Sequence, residues 1–141
     1  MKEKSTSDLQ AELMSAPSID SYIKKNELYF SDQSVARMLK EVYDTRDLTK
    51  AALARRAGIS EVYLHQVFSG RRNPSRDRLI CLCIGLETSL DEAQAMLKGA
   101  GFAALYPKVK RDAIVIYGLL HHMELDVINE KLFVEGEKTL S

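Results

Sequence analysis

Residues 49–80 read TKAALARRAGISEVYLHQVFSGRRNPSRDRLI. The spacing predicts two short helices at a sharp turn, then a basic loop and the start of another helix. Thr49 is placed to cap the first helix, with Leu53, Ala54 and Ala57 facing inward. Gly58 supplies the turn, Ile59 plugs it, and Ser60 caps a second helix whose inward residues are Leu64 and Val67. Ala54 is small enough to let the two helices cross closely.

A helix-turn-helix is the shape these signals describe, and its second helix is the usual probe of a major groove. From Leu48 to Gly101 the chain runs LTKAALARRAGISEVYLHQVFSGRRNPSRDRLICLCIGLETSLDEAQAMLKGAG. It resembles the domain shared by lambdoid phage repressors, Cro proteins and XRE-type bacterial regulators. The resemblance covers roughly Ser31 to Gly101 and implies an all-α, five-helix domain that binds double-stranded DNA.

The family's base-reading positions fall on Glu61, Val62 and Gln66, with Ser60 and His65 on the same groove-facing side. Gln66 can pair bidentately with adenine, and Val62 can touch a thymine methyl. Glu61 departs from the amide or small polar residue common there; it can accept from cytosine N4 but repels phosphate. Lys50 stands where many relatives carry glutamine and is a phosphate anchor, as is the helix start beside it. Arg71, Arg72 and Asn73 occupy the loop with which relatives grip the backbone. Tyr63 and Phe68 read as packing residues, and Phe68, standing where relatives often carry glutamate, is expected to rest on the C-terminal helices.

The 141 residues carry 20 basic and 20 acidic side chains, so the whole chain is no polycation. Their distribution is uneven: between Arg46 and Arg78 there are eight Arg or Lys against three acidic residues. Such a confined patch suits phosphate recognition, although a merely solvated face is the plainer alternative. Hydrophobic content of 45% is enough for a core.

No apolar run reaches membrane-spanning length, and the start MKEKSTSDLQ lacks the apolar segment of a secretory signal. The expected location is the cytoplasm, with no membrane contact. Cys81 and Cys83 lie in the apolar run LICLCIGL and read as buried thiols in a reducing compartment. His121 and His122 have no ligand at zinc spacing, so neither metal nor cofactor is expected. No phosphate-binding glycine loop, HExxH or nucleophile turn is present, and the chain is not expected to be an enzyme.

Three segments are expected: an N-terminal extension over 1–30, the helix-turn-helix domain over 31–101, and a helical extension over 102–141. In the first, DLQAELM makes a helical turn or two. Ser18 caps a helix with Ile19, Tyr22 and Ile23 on one side, and Leu28, Tyr29 and Phe30 tack the extension onto the core. The domain's first helix carries Val35, Leu39 and Val42; Ser75 caps its fourth, and Ser89 with Glu92 opens its fifth, which Gly99 and Gly101 end. The third segment holds two helices, the first starting at Pro107 and the second ending before Gly136. Its Phe102, Leu105, Ile114, Tyr117, Leu120, Ile128, Leu132 and Phe133 are more than a short tail needs for docking, which points to a homodimer or a protein partner. The function expected is a dimeric, sequence-specific transcriptional repressor. The alternative is a protein-binding adaptor on the same scaffold that no longer reads an operator.

Overall fold

The computed structural model describes residues 4–26 and 35–141, and the expectations placed on Leu28, Tyr29, Phe30 and Ser31 lie outside them. The chain divides into two compact units, residues 1–32 and 33–141. In the first, α1 (Thr6–Ser15) opens on a capping box between Ser5 and Asp8, and α2 (Ile19–Lys25) on Ser18, which accepts from the Ser21 amide. Lys4 joins the pair, its Nζ 2.7 Å from Glu12 and 2.8 Å from the Asn26 side-chain oxygen. Neither helix buries an apolar side chain.

The second unit contains α3 (Val35–Tyr43), α4 (Lys50–Arg56), α5 (Glu61–Phe68), α6 (Arg76–Gly85), α7 (Leu90–Gly99), α8 (Lys110–Leu120) and α9 (Leu125–Val134). Five helices thus span the segment expected to hold five, and the described residues are all-helical. Thr49, Ser60 and Ser75 each accept a backbone N–H three residues on, and Ser89 and Glu92 complete a capping box. The run AIVIYGLL, rich in β-branched residues, is helical within α8.

The core is built around α6, on which every residue from Leu79 to Gly85 is buried. A helix apolar on all sides must be covered on all sides. Helix α4 crosses it closely: a Cβ on Gly85 would lie 3.0 Å from Leu53 Cδ1 and 3.3 Å from the Ala57 amide nitrogen. Leu53, Ala54, Ala57, Leu64 and Val67 are buried, as their spacing requires. Ile59 is only half-buried, because it sits at the rim of the turn. Gly58 takes φ +66° and Gly101 φ +82°, left-handed values that favour glycine.

Two boundaries and one contact differ from expectation. Helix α8 begins at Lys110 rather than Pro107, after a turn, and its N-cap Val109 makes no side-chain cap bond. Helix α7 includes Gly99, so Ala100 is its C-cap and only Gly101 turns the chain. Phe68 does not lean on the C-terminal helices; it meets Tyr43 of α3 edge-on at 5.3 Å.

The C-terminal segment joins the same core. Leu105, Val115, Leu119, Ile128, Leu132 and Leu140 are buried, whereas Tyr117, Leu120 and Phe133 are exposed. Its geometry repeats that of the preceding hairpin, 35 residues on. Arg76-Asp77 recurs as Arg111-Asp112, Leu90-Asp91 as Leu125-Asp126, and Leu97, Gly101 and Leu105 as Leu132, Gly136 and Leu140. The turns match as well: Glu87 and His122, both non-glycine, share φ 51°. Gln94 brackets the Leu105 backbone with an accepted N–H (2.7 Å) and a donated N–H (2.8 Å). Asn129 does the same to Leu140 at 2.7 and 3.1 Å.

The two hairpins clasp each other through those paired dipeptides. Arg111 forks onto Asp77 at 3.0 and 2.9 Å, and Arg76 reaches Asp112 at 3.2 Å. Each arginine also donates to two carbonyls of its own hairpin, Arg76 to Ala103 and Ala104, Arg111 to Lys138 and Thr139. Equivalent residues exchanging the same contacts in both directions is the signature of a two-fold relation, here inside one chain.

Replacing Asp112 with Ala should destabilise the unit by about 2–4 kcal/mol, because it leaves the largely covered Arg76 charge without its carboxylate; urea unfolding measures it. Acid should also weaken the fold through Glu92. The Ser89 amide and then Arg46 hold its carboxyl below the ordinary glutamate value. Its contribution is therefore full at neutral pH and is lost as pH falls below about 4.3. A Glu92→Gln variant should be less stable at pH 7 and lose less on acidification, as followed by thermal unfolding.

Candidate nucleic-acid interface

The outer face of α5 carries Glu61, Val62 and His65, all exposed, with Gln66 half-buried beside them. Val62 is 67% exposed, far more than a packing valine needs. The Ser60 hydroxyl accepts from the Tyr63 amide at 3.0 Å, so its first role is to hold the start of the helix. Helical spacing alone puts positions 61, 62, 65 and 66 on one side.

Beyond α5 the chain turns at Gly70, with φ +80°. The amides of Arg71 and Arg72 both donate to the Gln66 carbonyl, at 3.0 and 3.2 Å. The loop is thereby pinned to the end of the probing helix, with Arg71, Arg72 and Asn73 exposed. The Arg72 guanidinium lies 5.5 Å from the Tyr63 ring centre and that of Arg78 lies 4.6 Å from it. Tyr63 thus holds two cations by their attraction to its ring.

Lys50, exposed at the start of α4, has its Nζ 5.7 Å from the Phe68 ring. It shares a depression of about 320 Å³ with His65, Lys40, Tyr43 and Ser69. The structure therefore brings Lys50 together with His65, and Arg71 and Arg72 together with Gln66. Glu61 and Val62 stand on the first turn of α5. Sequence reasoning passed over Lys40 and the role of Tyr63 as a cation platform. No short-range signal marks either, since each depends on a partner from another part of the fold.

The basic patch is smaller than its count. Arg46 donates to the Leu86 carbonyl at 2.9 Å and pairs with Glu92 at 3.0 Å, while Arg76 is held by Asp112. Both are structural. Arg55 and Arg56 line a depression that also carries Glu87, Glu124 and Asp126. Among the described residues, Lys50, Arg71 and Arg72 form no ion pair with a carboxylate, although Asp44 lines the depression beside Lys50 and Glu61 stands on the first turn of α5.

Residues 34–96, a little under half of the chain, match the family described as a helix-turn-helix domain. With α4 and α5 meeting at Gly58, this segment is a helix-turn-helix domain, the architecture of DNA-binding regulators. The narrower likeness to phage repressors rests on the residues quoted above. No curated protein and no solved structure matches the chain.

No described helix is long and apolar enough to cross a membrane, and no group of three or more His, Cys, Asp or Glu among the described residues is placed to hold a metal ion. His121 and His122 are exposed, and His121 stacks on Tyr117 with ring centres 4.0 Å apart. Burial pushes the Cys81 thiol up to about 11 and the Cys83 thiol up to about 12. At pH 8 at most about one thiol in a thousand is then thiolate. Iodoacetamide should leave both unmodified in the native protein and alkylate both in urea, as read by mass spectrometry.

Proposed function

We propose that the protein is a sequence-specific, DNA-binding transcriptional regulator of the phage-repressor and XRE kind, acting in the cytoplasm as a dimeric repressor without catalytic activity. The observation that carries this reading is the exposed side of α5, with the Arg71–Asn73 loop hydrogen-bonded to the helix end. Base-reading and phosphate-gripping groups are thereby held in one rigid frame. Val62 and Gln66 read bases, Arg71, Arg72 and Lys50 grip phosphates, and Ser60, His65 and Asn73 complete the contact surface. One such helix buries too little for tight binding, so two copies on a palindrome are the economical arrangement.

The adaptor reading draws on Glu61, which sets a negative charge on the first turn of α5. It predicts no preference for any operator sequence, which makes the two readings separable.

Selection from a random duplex library tests the proposal and defines the operator. Changing Arg71 and Arg72 together to Ala should weaken binding to selected and random duplexes by similar factors. It should also reduce the slope of log K against log salt by up to about 2, since fewer counterions are released. Fluorescence anisotropy across a salt series measures both. Gln66→Ala should cost about 1–3 kcal/mol on the selected site and little on random DNA.

A further inference from the structure

Between α8 and α9 runs an open apolar groove of about 730 Å³, walled by Ala113, Ile114, Tyr117, Met123, Val127 and Val134. On each helix the wall follows i, i+3, i+4, i+7 spacing: 110, 113, 114 and 117 on α8, and 127, 130, 131 and 134 on α9. Ala113, Ile114, Tyr117, Val127 and Val134 form its apolar part, and Lys110, Glu130 and Lys131 its charged edge, an arrangement found where one helix packs on another with charges at the flank. Tyr117 is 58% exposed, Leu120 56% and Val134 67%, and Phe133 projects beside them at 76%.

The internal repeat identifies what belongs on this surface. Leu120 corresponds to Gly85, whose added Cβ would meet Leu53 and Ala57 of α4. Val134 corresponds to Gly99, where an added Cβ would lie 2.6 Å from the Met38 sulfur of α3. Val127 corresponds to Glu92, which Arg46 holds from beyond the end of α3. In the first hairpin, then, α4 lies against this face at the buried Gly85, and α3 reaches it through Met38 at the edge by Gly99. In the second, Leu120 and Val134 are larger than the glycines they replace, Val127 is apolar where Glu92 is charged, and all three are exposed.

We infer that a second copy of this chain covers the groove, its own α8–α9 hairpin serving as the pair of helices that α3 and α4 supply to α6 and α7. The rim favours a copy of itself. It carries Lys110 and Lys131 with Glu130 and Glu135, two charges of each sign, and both lysines already lie beside Glu135 at 3.7 and 4.0 Å, so the rim is self-neutralised and a copy of it brings no unpaired charge to the contact. A partner of one strong charge gains nothing there. Two antiparallel hairpins packed by such stripes form a four-helix bundle, a stable way to bury them. Phe133, outside the groove, is the side chain free to project across to the partner. This names the contact that the dimeric reading above needs, and it rests on that reading only for the choice of a two-fold partner.

Sedimentation of the full chain at tens of micromolar should give a dimer. Val134→Glu and, separately, Leu120→Glu should weaken self-association by on the order of 100-fold or more, since each places a charge in the buried face. Far-UV circular dichroism should stay close to wild type, because both positions are exposed within the protomer, while the unfolding midpoint should rise with protein concentration in the wild type and lose that dependence in the variants. Lys98→Glu, exposed on α7, should remain dimeric. A monomeric wild type, or two glutamate variants that are still dimers, overturns the inference. If the monomeric variants keep salt-dependent binding to random duplex, the surface is separate from the α5 face, as argued. A wild-type dimer that binds no duplex overturns the DNA-binding proposal and leaves this surface standing.

Discussion

Two arginine–aspartate dipeptides hold the second unit in its form. Arg76 and Asp77 open α6, Arg111 and Asp112 open α8, and each arginine reaches the other pair's carboxylate. The guanidiniums also satisfy four backbone carbonyls where the chain leaves α7 and α9. Charges this well covered are tolerable only because every one is partnered. The exchange orients α8 against α6, and the C-terminal tail follows, with Leu140 seated in the core by Asn129.

The candidate DNA face depends on the same arrangement at one remove. Helix α6 is buried along most of its length, so α4 and α9 both need it as a surface to pack on. Leu125 of α9 approaches Gly58, where an added Cβ would lie 3.1 Å from its Cδ2. The turn that sets the angle between α4 and α5 is therefore backed by the C-terminal hairpin. A probing helix reads bases only if its angle is held, and here the support comes from residues outside the matched helix-turn-helix segment. The C-terminal helices serve the domain as well as offering an outward face.

Charge is the clearest case in which counting misled. Eight basic residues between 46 and 78 suggested a confined basic patch, yet Arg46 and Arg76 are committed to Glu92 and Asp112, and Arg55 and Arg56 share a depression with carboxylates. The cations that remain exposed on the α5 side are fewer than the count suggests. Tyr63, read as packing, holds Arg72 and Arg78 beside the probing helix. For Arg46 and Arg76 the cause is distance: the partner carboxylate lies far along the chain, where local spacing carries no information about it.

What the order of residues settled is what short-range physics controls. Caps at Thr49, Ser60, Ser75 and Ser89, the left-handed turn at Gly58 and the apolar spacing of α4 and α5 were legible because each rule spans only a few positions. The candidate site residues came from the family resemblance, and apart from Lys50 on α4 they lie on or at the start of α5 and in its adjoining loop. The 35-residue repeat was also written in the chain, in Arg-Asp, Leu-Asp, Leu, Gly and Leu at fixed intervals, but too few positions coincide for the eye to find it unaided. Tertiary structure alone settled which of those dipeptides pair, that the C-terminal helices share the core, and that one hairpin is covered while its counterpart stands open. All three depend on contacts between distant segments, and such contacts are chosen by how whole helices pack rather than by the spacing along any one of them.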